Sequence, residues 1–178
     1  MSVVWHDAES TGRMATAAIV AAAVAAATIL GAYFFQFVLG YAPCPLCLTQ
    51  RIPYYVAIPV AAAVAIAAHA RAPRRLLAGG LVVVAAAMLI GAGLGVYHSG
   101  VEWKWWAGPS DCSGPINSFG TAGSLLQTIE TTQVVRCDEA GWRLLGLSLA
   151  GYNVFISAAI AGIALWGAAA GLSDRKGA

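Results

Sequence analysis

The chain has 178 residues, of which 60% are hydrophobic and 10% charged, and a formal charge of +2. A soluble domain carries about a quarter charged residues, so this composition excludes one and specifies an integral membrane protein. With a near-neutral balance and no basic run interleaved with aromatics, nucleic-acid binding has nothing to rest on.

Met1 to Gly12 is a polar tail without a functional signal, and four apolar stretches follow: Met14 to Leu39, Ile52 to Ala68, Leu76 to Tyr97 and Leu144 to Leu172. A hydrocarbon core of about 30 Å takes roughly 20 helical residues, and backbone groups in lipid must be satisfied within their own segment. Each stretch is therefore predicted to span as a helix, the second only just. The expected fold is an all-α, four-helix membrane bundle forming one domain over residues 1–178. Arg13 and the alanines behind it suggest a signal peptide, but the apolar run exceeds the roughly 7–15 residues of a signal h-region, so the first helix is expected to be retained.

The first span ends in Tyr33-Phe34-Phe35-Gln36-Phe37, an aromatic belt that also lies near enough to the next motif to wall a pocket. That motif is Cys44-Pro45-Leu46-Cys47-Leu48-Thr49-Gln50-Arg51, a C-x-x-C pair just ahead of the second helix. Within that helix Pro53 suits the first turn, and Pro59 is expected to kink it. The link His69-Ala70-Arg71-Ala72-Pro73-Arg74-Arg75 packs three arginines into a short turn. In the third span Gly91-Ala92-Gly93-Leu94-Gly95 has the look of a nucleotide fingerprint, but no strand precedes it, and small residues in an apolar span serve close helix contact.

The long polar connection opens Tyr97-His98-Ser99-Gly100-Val101-Glu102-Trp103-Lys104-Trp105-Trp106 and carries the two remaining cysteines, Cys112 and Cys137. Its tryptophans belong at headgroup level. Leu125, Leu126, Ile129 and Val134 recur at near-helical spacing and predict a short helix on the bilayer surface or packed into the loop. Arg13, the arginine-rich link and Arg175-Lys176 all fall on one side, so the positive-inside rule makes that side and both termini cytoplasmic. All four cysteines then face the opposite compartment, where disulfides persist.

Thiolate is the reactive form of cysteine, and both a helix N-terminus and a nearby cation favour it. Cys47 is expected to gain from both, with Arg51 four residues on, stabilising a Cys47 thiolate or an anion on a bound electron acceptor. An arginine snorkelling to the interface is the plainer role. Cys112 and Cys137, 25 positions apart, fit either a structural staple or a second redox pair. Zinc is disfavoured because only one closely spaced ligand pair exists, so no metal is expected. His69 and His98 sit at opposite ends of the bilayer and cannot share a haem. His98 is left as a lone imidazole near the level of Arg51, suited either to bonding a carbonyl or to supplying a proton.

With Cys44-Pro45-Leu46-Cys47 followed by Arg51, four spans, the Tyr97-to-Glu102 stretch, and the widely spaced Cys112 and Cys137, the chain resembles the DsbB family of bacterial membrane disulfide-bond formation proteins over nearly its whole length. The resemblance implies an inner-membrane bundle that oxidises a periplasmic thioredoxin-like dithiol protein, DsbA, and passes the electrons to a membrane quinone, ubiquinone or menaquinone. It also implies roles for particular residues. Cys112 would be attacked by the partner's thiolate, released Cys137 would attack Cys44, and Cys47 would be left as a thiolate facing the quinone beside Arg51. A vitamin K epoxide reductase-like protein uses similar chemistry, but its C-x-x-C follows the loop cysteines, the reverse of the order here. A structural or assembly membrane protein with a stapled loop and an idle C-x-x-C is the alternative from another class, and metal handling is a third.

Overall fold

The computed structural model describes residues 2–109 and 136–172. Cys112 and the surface helix expected around Leu125 to Val134 lie outside the described residues. Helix α1 spans Ser2–Tyr33 and runs on as a π-helical turn, Phe34–Val38. A short α2, Pro45–Thr49, leads into α3, Ile52–His69; α4 covers Arg74–Glu102 and α5 covers Leu149–Leu172. Four helical spans, Glu9–Val38, Pro45–His69, Arg74–Glu102 and Leu149–Gly171, are long and apolar enough to cross a membrane. Helix α1 packs on α3 and α5, and α4 closes the ring against the same two neighbours.

The packing follows the sequence in a regular 3-4 alternation. On α4 the buried positions include Leu77, Leu81, Val84, Met88, Gly91, Gly95 and His98, and on α3 they are Tyr54, Ala57, Ala61, Val64 and Ala68. Such a spacing keeps one stripe facing its neighbour along a left-handed bundle. Alanine and glycine fill much of it because helices in lipid gain by close backbone approach. A Cβ on Gly95 would come within 2.8 Å of Val154 and 3.2 Å of the Ala150 carbonyl, so the glycine run serves α4–α5 contact, as expected.

Three boundaries differ from the expectation: α1 begins at Ser2, so the tail ahead of Met14 is helical, and two ends beside the long connection shift. Helix α4 continues five residues past Tyr97, because Val101 and Glu102 find buried positions on the bundle and prolong its seam. Gly100 is required there: a Cβ would lie 2.0 Å from the Trp106 ring, which stacks on Tyr97 and donates its indole N–H to the Tyr97 carbonyl at 2.9 Å. The last span starts later than Leu144, since Arg143–Leu144 (β1) and Leu147–Ser148 (β2) form a two-stranded antiparallel hairpin. Its turn residues Leu145 and Gly146 both have positive φ, the geometry that matches the twist of paired strands. Helix α3 runs on through Pro59, which costs it one backbone donor and faces outward.

Candidate active site

Extended toward its N-terminal end, the α3 stripe of Tyr54, Ala57 and Ala61 passes through Gln50 and Cys47 at the same 3-4 spacing. On α4, His98 occupies a seam position and Glu102 lies one turn beyond it. Asn153 and Ser157 lie four residues apart on α5, ahead of buried Ile160 and Ala164. At one end of the bundle, then, positions that elsewhere pack alanine carry sulfur, imidazole, amide and carboxylate. Ionisable and polar groups inside a membrane protein are costly and mark function by default.

The chain turns at Gly40, φ +76°, and reaches Cys44 in an extended conformation as the N-cap of α2, with Pro45 in the first turn. Cys44 and Cys47 are free thiols with sulfurs 2.8 Å apart, and the Cys47 backbone N–H reaches the Cys44 sulfur at 3.2 Å. The cap is therefore Cys44, and the helix start serves Cys44 rather than Cys47 as expected. Arg51 does not point at either sulfur: its guanidinium donates to the Gln36 side-chain oxygen at 2.7 Å and lies 5.2 Å from the Tyr33 ring centre. The π-helical turn that brings Gln36 round is a device frequent at functional sites.

A cavity of about 580 Å³ opens beside these groups, within the usual range for small-molecule sites. Cys44, Cys47, Arg51 and His98 all line it, and so do the apolar Ile29, Phe35, Leu149 and Ile156. Phe35 thus walls the pocket while Phe34 and Phe37 face outward, so the aromatic cluster serves both of its suggested purposes.

Cys137 is buried in a cluster with Cys44, Leu46 and Cys47. Cys137 is disulfide-bonded, and its main chain lies within hydrogen-bonding reach of His98. Asp138 pairs with Arg136 at 2.9 Å and with Lys104, holding this segment against the end of α4. Both cations keep the Asp138 carboxyl well below the usual range, Arg136 the more strongly.

The profile of the family described as "Disulfide bond formation protein DsbB" matches residues 14–167. The chain belongs to the DsbB family. Among relatives, Disulfide bond formation protein B of Xanthomonas oryzae pv. oryzae is 29% identical over 147 residues, covering 82% of this chain and 83% of its own length. The protein of the same name from Xylella fastidiosa is 28% identical over 132 residues, 73% of this chain and 75% of its own. No solved structure matches. Membership makes this a multi-pass, four-helix membrane protein of disulfide-bond formation.

In this DsbB-family chain the Cys44 thiol is depressed from 9.0 to about 4. The chief cause is the hydrogen bond from Cys47; burial opposes it, and His98 and the Cys47 backbone N–H add to the lowering. His98 Nε2 stands 3.7 Å from the Cys44 sulfur and 3.8 Å from Glu102 Oε1. Glu102 is buried at the cavity wall, and its other oxygen, Oε2, has no hydrogen-bond partner among the described residues. The two sulfurs and the His98 ring offer donor atoms within 4.8 Å of one another, a soft set of the kind that can ligate a cation.

Gln36, Gln50, Glu102 and Asn153 were not singled out by the sequence. Gln50 and Glu102 stand inside the quoted motifs, and Asn153 is a lone amide in an apolar span. Reading their phase against the alanine stripe would have found them.

Proposed function

We propose that the protein is a thiol:quinone oxidoreductase of the bacterial inner membrane, reoxidising a periplasmic DsbA-like dithiol protein. Electrons would enter at the Cys112/Cys137 pair, move to Cys44/Cys47, and leave to ubiquinone or menaquinone. Both termini would be cytoplasmic and every cysteine periplasmic. The observation that carries this reading is the position of the Cys44/Cys47 pair, which packs against buried Cys137 and also lines the largely apolar cavity.

The residues present suit a quinone. Ile29, Phe35, Leu149 and Ile156 give apolar walls for a ring and the start of its tail, and Arg51, beside His98 in the same lining, brings a hydrogen-bond donor. A bound quinone would accept two electrons and two protons, the sink of higher potential that strongly oxidising disulfides need. The balance is simple: partner dithiol plus quinone gives partner disulfide plus quinol. The protein's own residues handle the thiol half. A Cys137 thiolate would attack Cys44 of the Cys44–Cys47 disulfide and release Cys47. The freed Cys112 thiolate would then attack Cys137, re-forming the Cys112–Cys137 bond and releasing Cys44 as the thiolate its depressed pKa favours. The reduced Cys44/Cys47 pair so formed gives its two electrons to the quinone as its own disulfide re-forms.

The test is anaerobic mixing of purified protein with a reduced DsbA-like protein and added quinone, following quinone absorbance. The reading expects stoichiometric loss of quinone, abolished in Cys47→Ser. Arg51→Ala should weaken quinone use by about 1–3 kcal/mol of binding while leaving thiol exchange at Cys112 largely intact. Oxidation of the partner unaffected by Cys47→Ser would overturn the relay in favour of a structural or assembly role.

A further inference from the structure

From His98 a continuous line of buried and half-buried hydrogen bonds runs into the bundle. Gln50 Nε2 donates to His98 Nδ1 at 2.6 Å, and Asn153 Nδ2 donates to Gln50 Oε1 at 2.7 Å. The Tyr54 hydroxyl donates to Asn153 Oδ1 at 2.6 Å and lies 2.9 Å from Ser157 Oγ. The direction of the line is not free. Asn153 Nδ2 also faces the Gly91 carbonyl at 3.4 Å, and a carbonyl can only accept, so the Asn153 atom there must be nitrogen. This fixes Asn153 Oδ1 toward Tyr54, Gln50 Oε1 toward Asn153, and the Gln50 amide hydrogens toward His98. A neutral imidazole that accepts at Nδ1 carries its hydrogen on Nε2.

We propose that Asn153 and Gln50 are positioning residues that lock His98 in the Nε2–H tautomer and aim that hydrogen at the Cys44 sulfur. The proposal deepens the thiol relay above and rests on it for its purpose, since an N–H donor at Cys44 stabilises the thiolate form of the reduced pair. A backbone carbonyl on α4, an amide on α5 and an amide at the α2–α3 junction together set one proton. Among the described residues the ionisable groups around His98 are Cys44 at the cap of α2, Cys47 on α2 and Glu102 on its own helix, with Arg51, Arg136 and Glu139 on the same cavity and the Cys137 segment meeting it through main chain.

Asn153→Asp separates this role from packing, because the side chain keeps its size. An ionised carboxylate has no hydrogen for Gln50 Oε1; the Gln50 amide must turn over, present oxygen to His98, and move the ring hydrogen to Nδ1. While protonated, the introduced carboxyl can still donate and the original tautomer survives. The experiment is nitrogen NMR of the full chain, ¹⁵N-labelled at histidine, in detergent and reduced, with His98 signals taken as the difference from His98→Asn. Wild type should show Nε2 protonated and Nδ1 bare. In Asn153→Asp the pattern should reverse as the carboxyl ionises, followed by its own ¹³C shift, and quinone-linked turnover should fall about 100-fold over the same range. Gln50→Glu is the second variant and should reverse the tautomer likewise if the first does not fold. A wild-type ring protonated at Nδ1, or ionisation of the introduced carboxyl without reversal, would overturn the lock. If the tautomer reverses but wild type passes no electrons to quinone, the lock stands and the relay reading falls.

Discussion

Cys44 rather than Cys47 is the sulfur on which the structure concentrates stabilising contacts. It receives the Cys47 thiol, the Cys47 backbone N–H and the His98 ring, and its pKa falls to about 4. An ordinary thiol ionises near 8.5. For the reduced protein this depressed value gives stability that is fully present above about 8.5, declines as pH falls, and is gone below about 4. Reduced wild type should therefore keep its ultraviolet thiolate absorbance, relative to Cys44→Ser, down to about pH 5, and its thermal advantage over that variant should shrink as the pH drops through the same window. Absorbance that vanishes near pH 8 would show that the cap and the imidazole do not act on this sulfur. The motif made both cysteines and Arg51 legible as a redox site. It could not tell which sulfur would be the cap, because that depends on where the turn after Gly40 ends. The Arg51–Gln36 bond was equally hidden, since it requires α1 to end in a π-helical turn.

At the level of elements, the spans were readable because twenty apolar residues in lipid leave the backbone little choice but helix. Their outer ends were less so. Polar residues from Tyr97 onward look like loop by composition, yet Val101 and Glu102 continue the α4 seam and the helix follows them. Leu144 to Ser148 look apolar enough for helix, but Gly146 and the positive φ of Leu145 close a hairpin instead. The relay from His98 to Ser157 joins α2, α3, α4 and α5, so it exists only once the relative rotation of those helices is fixed. The glycine contact sets part of that rotation. Gly95→Val would drive methyl groups into Val154 and the Ala150 carbonyl, and overpacking of this kind costs about 1–3 kcal/mol. A drop in thermal unfolding temperature in detergent should report it, and Gly93→Ala, where a Cβ would meet nothing within 4 Å, should leave that temperature almost unchanged.

For the whole molecule, the ring of α1, α3, α4 and α5 brings one end of each span to the site, while the arginine-rich turn after His69 lies at the other end. The proposed orientation predicts that a membrane-impermeant maleimide added to intact spheroplasts labels Cys112 after reduction, and that a cysteine introduced at Ala72 reacts only once the membrane is opened. The reverse pattern would put the thiols in the reducing compartment and end the proposal. The Asp138 pairs with Arg136 and Lys104 bear on how such a machine would cycle. They are exposed, so counter-ions weaken them readily, and they sit next to the residue whose sulfur would trade partners. In the proposed relay a fastening of that strength would act as a press-stud: firm enough to seat the Cys137 segment against the end of α4, loose enough to give way under a modest pull.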